Sequence, residues 1–133
     1  MTAVVWVLAL LAALVHIVVF AWESLLFHRP GVHRRIFLIE SADVPAVGLW
    51  AFCVGFYNLF LALGMVGGVW LWAAGEESAG RILVVYICLF MALGALVLLV
   101  ADRRAMGRPR GSGVGGVVGE GALPLAALVV MAL

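Results

Sequence analysis

Charged side chains are scarce in this chain of 133 residues, and lysine is missing altogether. Only 11% of the residues are charged and 67% are hydrophobic, whereas a soluble domain carries about a quarter charged residues. So few charged side chains cannot cover the surface of a water-soluble domain. The composition therefore excludes a soluble fold and predicts an integral membrane protein.

Cysteine and the common ligand-binding motifs are scarce as well. The two cysteines, Cys53 and Cys88, are too few for a disulfide framework and lack zinc-binding spacing. We expect both to be small core residues. The glycine-rich segment at 111–121 follows no predicted strand and contains no lysine, so it is not a phosphate-binding loop. No aspartate-rich magnesium motif is present either, and we expect neither a metal site nor a cofactor.

Long apolar stretches are what the chain has in abundance. A helix that crosses the hydrocarbon core needs about 20 residues, and lipid-exposed backbone must satisfy its own hydrogen bonds. Four such stretches are present. The last of them, residues 113–133, is the weakest candidate for a membrane-spanning helix, because glycines crowd its start and Pro124 lies inside it. We predict one all-α domain over residues 1–133, an integral membrane four-helix bundle. Its predicted helices cover residues 2–27, 45–74, 81–101 and 113–133.

The arginines are unevenly distributed among the connections. Three lie in the first connection and four in the third, whereas the second has only Arg81. The positive-inside rule then places the first and third connections in the cytoplasm and both termini on the outer side. We interpret the clusters as topology signals rather than as nucleic-acid or phospholipid contacts. The lysine-free, arginine-rich composition fits a bacterium, so we expect a multi-pass protein of the bacterial inner membrane.

Two ionisable residues interrupt the first apolar stretch. His16 lies near its middle and Glu23 seven residues later, with Phe20 between them on the same helix face. Their Cα atoms are roughly 10 Å apart along the helix axis. An ionisable side chain at membrane depth usually faces the bundle interior or a water-filled cavity. We therefore expect His16 and Glu23 to line one cavity.

The second stretch offers an amide to the same cavity. Asn58 lies among small residues at heptad-like spacing, which is typical of a close helix contact in lipid. Tyr57 points about 100° away around the helix. Taken alone, Asn58 would be explained as a side chain that hydrogen-bonds between helices. Taken alone, His16 would be explained as a hydrogen-bonded histidine with a structural role. The combination of these two side chains with carboxyl groups in one cavity indicates acid–base chemistry.

Carboxyls from three segments are predicted to gather near the cytoplasmic ends of the helices. Asp102 lies there too, but we expect it to be solvated and paired with Arg103 or Arg104. The gathered carboxyls are Glu23, Glu40, Asp43 and Glu120. An alternative remains open for Glu23 and Glu120, which could pair with loop arginines or accept hydrogen bonds at helix ends.

Some of these residues and segments resemble those of a known protein family. The pair His16 and Glu23, the segment "GFYNLFLALG" and the segment "GEGALPLAALVVMAL" resemble a family of small four-helix membrane proteins described as domain of unknown function 1304. Members of that family usually have asparagine-glutamine where this chain has Cys53-Val54, and glutamine where it has Glu120. Size, helix number and acid placement are also similar to those of small bacterial membrane-bound terpene cyclases.

These patterns favour a membrane-embedded acid/base enzyme, a cyclase or isomerase that protonates an alkene or epoxide of a lipophilic, prenylated substrate. We predict Glu120 as the general acid, Glu23 as its ionised partner, and His16 as a relay or orienting group. The residues predicted to bind substrate are Asn58, Tyr57, Phe20, Trp22, Trp50, Asp43 and Glu40. A small transporter and an accessory or structural membrane subunit remain alternatives. A second copy of the chain is a further candidate partner.

The arginine distribution makes a testable prediction about topology. A cysteine introduced by Ser78→Cys in the second connection should react with a membrane-impermeant thiol reagent added from the outside. Labelling only from the cytoplasmic side would reverse the predicted orientation.

Overall fold

The computed structural model describes all residues, 1–133, and its regular elements are all helices. Helix α1 covers Thr2–Phe20 and continues directly into a π-helical segment, Ala21–Leu25. The short helix α2, Pro30–His33, lies in the connection that follows. The remaining helices are α3 (Val44–Ala73), α4 (Glu77–Arg103) and α5 (Val114–Ala132).

Four segments are long and apolar enough to cross a membrane. They are Thr2–Leu25, Val44–Ala73, Glu77–Arg103 and Val114–Ala132. The predicted all-α bundle of four membrane-spanning helices is thus confirmed. An even number of spans leaves both termini on the same side of the membrane. Helix α4 begins at Glu77, one turn before the predicted start at Arg81.

The four long helices form a closed ring. Helix α1 packs against α3 and α5, and α4 packs against the same two helices. The shared core is built of small and medium-sized side chains, which let helices approach closely in lipid. Its buried members are Val5, Ala9, Ala12, Ala13, Ala62, Met65, Val69, Val84, Ile87, Cys88, Met91 and Ala127.

One cysteine differs from the sequence-based prediction. Cys88 is a buried core residue as expected, but Cys53 is exposed on α3. Two residues along an α-helix correspond to about 200° of rotation, so Cys53 and the buried Gly55 lie on opposite faces of α3. The prediction that Cys53 belongs to the core is therefore wrong.

Asp102 also departs from its prediction, because it is buried rather than solvated. It lies in the last turn of α4 and is only 1% exposed. Its two carboxylate oxygens accept hydrogen bonds from the backbone N–H groups of Gly111, at 2.8 Å, and Gly113, at 2.7 Å. Gly113 is the N-cap residue of α5. The carboxylate therefore anchors the start of α5 to the end of α4, where unpaired helical N–H groups favour an anion.

This anchor makes a prediction about stability. Asp102→Ala removes the acceptor of one buried and one partly buried N–H group and should destabilise the bundle by roughly 1–3 kcal/mol, measured by unfolding of the purified protein in detergent. Asp43→Ala is the matched control, because Asp43 is exposed and its side chain makes no capping hydrogen bond. Equal effects of the two substitutions would show that Asp102 is not an anchor.

Candidate functional site

The candidate site begins where α1 changes its helical geometry. The N–H group of Leu26 donates to the carbonyl oxygen of Ala21 at 2.9 Å, a π-type bond that spans five residues. The wider turn rotates Glu23 and Ser24 away from the phase that a continuous α-helix would give them. Single π-helical turns of this kind are frequent at functional sites.

Gly55 of α3 makes the close approach of this π-helical segment possible. A methyl group at Gly55 would overlap the hydroxyl oxygen of Ser24 and lie only 3.0 Å from the Cβ atom of Glu23. Because glycine leaves that space free, Ser24 can donate its hydroxyl proton to the carbonyl oxygen of Phe52 at 2.8 Å. The end of α1 is thus held against α3 at the level of Glu23.

Glu23 and Asn58 are directly hydrogen-bonded across this contact. The Nδ2 atom of Asn58 donates to Oε2 of Glu23 at 2.9 Å and to the carbonyl oxygen of Val54 at 3.2 Å. The two bonds use both amide protons and hold the amide in one orientation. The second carboxyl oxygen of Glu23, Oε1, has no hydrogen-bond partner within the chain, so it is free to contact a bound molecule.

Glu120 approaches the same place from α5. It is half-buried and makes no hydrogen bond to Glu23. The charges of Glu23 and of Arg108, in the loop before α5, act on it only through space. Pro124 lies inside α5 one turn further on. Because proline has no N–H group, the helical bond to the backbone carbonyl of Glu120 is missing.

His16 lies inside the bundle and is only 3% exposed. Its Nδ1 atom is 3.0 Å from the carbonyl oxygen of Ala12. A carbonyl oxygen only accepts, so Nδ1 carries the proton and Nε2 is the acceptor nitrogen of the neutral ring. His16 makes no hydrogen bond to Glu23 or Asn58. Its predicted part in a shared cavity stays a prediction.

The aromatic residues predicted to bind substrate fall into two groups. Trp50 and Tyr57 are 70% and 64% exposed and lie on the outward face of α3. Trp22 and Phe20 are half-buried, and the ring of Phe20 packs edge-on against Phe56, with 5.1 Å between centroids. The structure therefore places Phe20 at the contact between α1 and α3, and Trp50 and Tyr57 away from it.

Phe56, against which Phe20 packs, belongs to a row of three phenylalanines on α3. Phe56 lies between Phe52 and Phe60, at centroid distances of 5.0 and 6.1 Å. The spacing of four residues that puts them on one helix face was visible in the sequence. Phe52 and Phe60 are 49% and 58% exposed, so only the Phe56 ring of this row lies in the contact with α1.

Glu40 and Asp43 are not brought into hydrogen-bonding contact with Glu23 or Glu120. Both are exposed, and Glu40 forms an ion pair with Arg34 at 3.5 Å. Of the four carboxyls predicted to gather, only Glu23 and Glu120 are half-buried within the bundle. No three His, Cys, Asp or Glu side chains are grouped so as to hold a metal ion.

Comparisons with known proteins place the chain in one family. The model of a family described as "Protein of unknown function (DUF1304)" matches residues 10–132. No curated protein and no solved structure matches the chain. The resemblance to this family that the residues indicated is thereby confirmed.

The close contact at Gly55 makes a prediction. Gly55→Ala should push the π-helical segment away from α3, break the Asn58–Glu23 hydrogen bond and destabilise the protein by roughly 1–3 kcal/mol, the usual cost of overpacking. Gly67→Ala on the same helix is the control, because its added methyl group meets nothing within 4 Å. Unfolding in detergent measures both, and equal stability of the two variants would contradict the close contact.

Proposed function

This chain belongs to the family described as "Protein of unknown function (DUF1304)", and from its polar site we propose that it is a membrane-embedded acid/base enzyme. Its substrate would be a lipophilic, prenylated molecule that enters from the bilayer. The reaction would be a cyclisation or isomerisation of the terpene cyclase type, started by protonation of an alkene or epoxide without a metal ion.

The observation that supports this proposal most is the hydrogen bond between Asn58 and Glu23 inside a membrane-spanning bundle. Ionisable residues in spans are costly and mark substrate pathways or proton relays. Here the carboxyl is oriented by an amide and keeps one oxygen free. A second carboxyl, Glu120, lies near enough to interact with its charge.

The surroundings of the two carboxyls suggest how their roles divide. Two neighbouring carboxylates repel each other, and the repulsion disappears when one of them holds a proton. The guanidinium group of Arg108 acts on Glu120 and suits it to be the ionised partner, whereas Glu23 has a free oxygen on which to carry the proton. We therefore propose Glu23 as the general acid, exchanging the roles predicted from sequence.

The proposed step conserves every atom. The Glu23 carboxyl donates its proton to one carbon of an alkene, or to an epoxide oxygen, and leaves a carbocation on the neighbouring carbon. The π electrons of a second alkene close a ring by forming a carbon–carbon bond. The Glu120 carboxylate then takes a proton from an adjacent carbon, so that a new alkene forms and the product has the mass of the substrate.

Neighbouring side chains would assist this chemistry. The rings of Phe20 and Phe56 present π faces that can stabilise a cation, and Asn58 holds the acid in place. His16, deeper in the bundle, would orient the substrate through its free Nε2 atom. The proposed location is the bacterial inner membrane.

The test is turnover of a panel of prenylated alkenes and epoxides by the purified protein in lipid nanodiscs, with mass-neutral products detected by chromatography and mass spectrometry. Glu23→Gln and Glu120→Gln should each lower the rate roughly 10²- to 10⁴-fold, because the amide keeps the shape of the side chain but cannot exchange the proton. Both variants should still fold.

Glu76→Gln is the matched control, because Glu76 is exposed in the connection between α3 and α4. It should leave turnover unchanged. Wild-type rates in both site variants would mean that these carboxyls are structural. If no compound of the panel is converted but the protein carries protons or a solute into liposomes, a small transporter is supported. If neither turnover nor flux is detected, an accessory subunit is supported.

A further inference from the structure

The connection between α1 and α3 is folded around a buried histidine. His33 is only 3% exposed, and its Nδ1 atom lies 2.9 Å from the carbonyl oxygen of Phe27, to which it donates. Its Nε2 atom is 3.0 Å from the hydroxyl oxygen of Ser41. The ring of Phe27 packs against His33 and Phe37. The segment between the two spans is therefore held by its own hydrogen bonds and ring contacts, which position the residues after His33.

Two arginines follow this histidine directly and line a surface pocket. The pocket is lined by Pro30, Gly31, Arg34, Arg35, Leu38 and Glu40. Leu38 has a positive φ of 58°, a conformation that costs energy for a residue with a side chain and that clusters at ligand sites. The pocket thus combines two cations with strained backbone at the membrane surface.

The positive charge of this pocket is only partly neutralised. The ion pair between Arg34 and Glu40, at 3.5 Å, joins side chains that are 56% and 73% exposed. An exposed pair of this kind holds its partners weakly. Arg35 has no ion pair or hydrogen bond within the chain, so its guanidinium group is available to an outside anion.

We propose that this pocket binds the phosphate group of an anionic phospholipid headgroup. The planar guanidinium fork matches phosphate oxygens in a bidentate manner. Ile36 and Leu38 are 38% and 40% exposed beside the arginines, so the same surface offers apolar contact to the upper part of the acyl chains. An amphiphile satisfies both features, whereas a free phosphate ion satisfies only the first.

The pocket differs from the other arginine-rich connection. Arg103 and Arg104 follow the buried Asp102 and are exposed, and they line neither this pocket nor those beside Arg81 and Tyr57. A purely topological role would make the pair Arg34 and Arg35 equivalent to the pair Arg103 and Arg104, because each pair carries two positive charges on the same side of the membrane. A headgroup site makes them different.

Native mass spectrometry of the full chain in neutral detergent tests the proposal, with phosphatidylglycerol as the probe. The double variant Arg34→Gln/Arg35→Gln should lose roughly ten-fold or more in affinity, since it removes charge-assisted hydrogen bonds. The control Arg103→Gln/Arg104→Gln should bind like the wild type. Glu40→Gln should bind more tightly, because it frees Arg34 and removes a carboxylate that repels phosphate.

Three results would overturn the proposal. One is an equal loss in the two double variants, which would reduce the arginines to topology signals. Another is equal binding of phosphatidylcholine, which carries a phosphate but no net charge. The third is displacement of the lipid by inorganic phosphate at equal concentration, which would assign the pocket to a free anion.

Discussion

The close contact between the end of α1 and the middle of α3 is the constraint on which the rest of the site depends. Gly55 provides the space, the π-helical segment Ala21–Leu25 provides the rotation, and the Asn58–Glu23 hydrogen bond fixes the result. Each needs the others. Without glycine the backbones could not approach, and without the π-type turn Glu23 would keep the phase of α1. A carboxyl at this depth would then lack the partner that its burial requires.

A second polar anchor sets the position of α5. The core between the long helices consists mainly of small and medium-sized apolar side chains, and such surfaces permit several rotations and depths of one helix against another. The bonds from Gly111 and Gly113 to Asp102 select one of them. They fix the first turn of α5, and Glu120 lies within two turns of it. The depth of Glu120 in the bundle therefore depends on this anchor at the start of α5.

The outer surface of the bundle is apolar, unlike the surface of a soluble protein. Large apolar side chains such as Trp50 and Tyr57 on α3 point outward, because lipid rather than water surrounds the spans. Hydrophobicity therefore cannot tell the inside of this bundle from its outside. Polar residues and glycines carry that information instead. They identify the α1–α3 contact, whereas Trp50 and Tyr57 lie on the outward face of α3.

The sequence by itself determined the class of protein and most of the fold. Sparse charge and long apolar stretches require helices that cross a membrane, and the cost of an ionisable group in lipid directs Glu23 toward a partner. Only the tertiary structure decided which partner. The π-type turn, the bond from Asn58 thirty-five residues away and the burial of Asp102 all arise from contacts between distant segments. Local periodicity assumes one continuous α-helix and solvated helix ends, so it did not indicate the π-type turn at Glu23 and predicted a solvated Asp102.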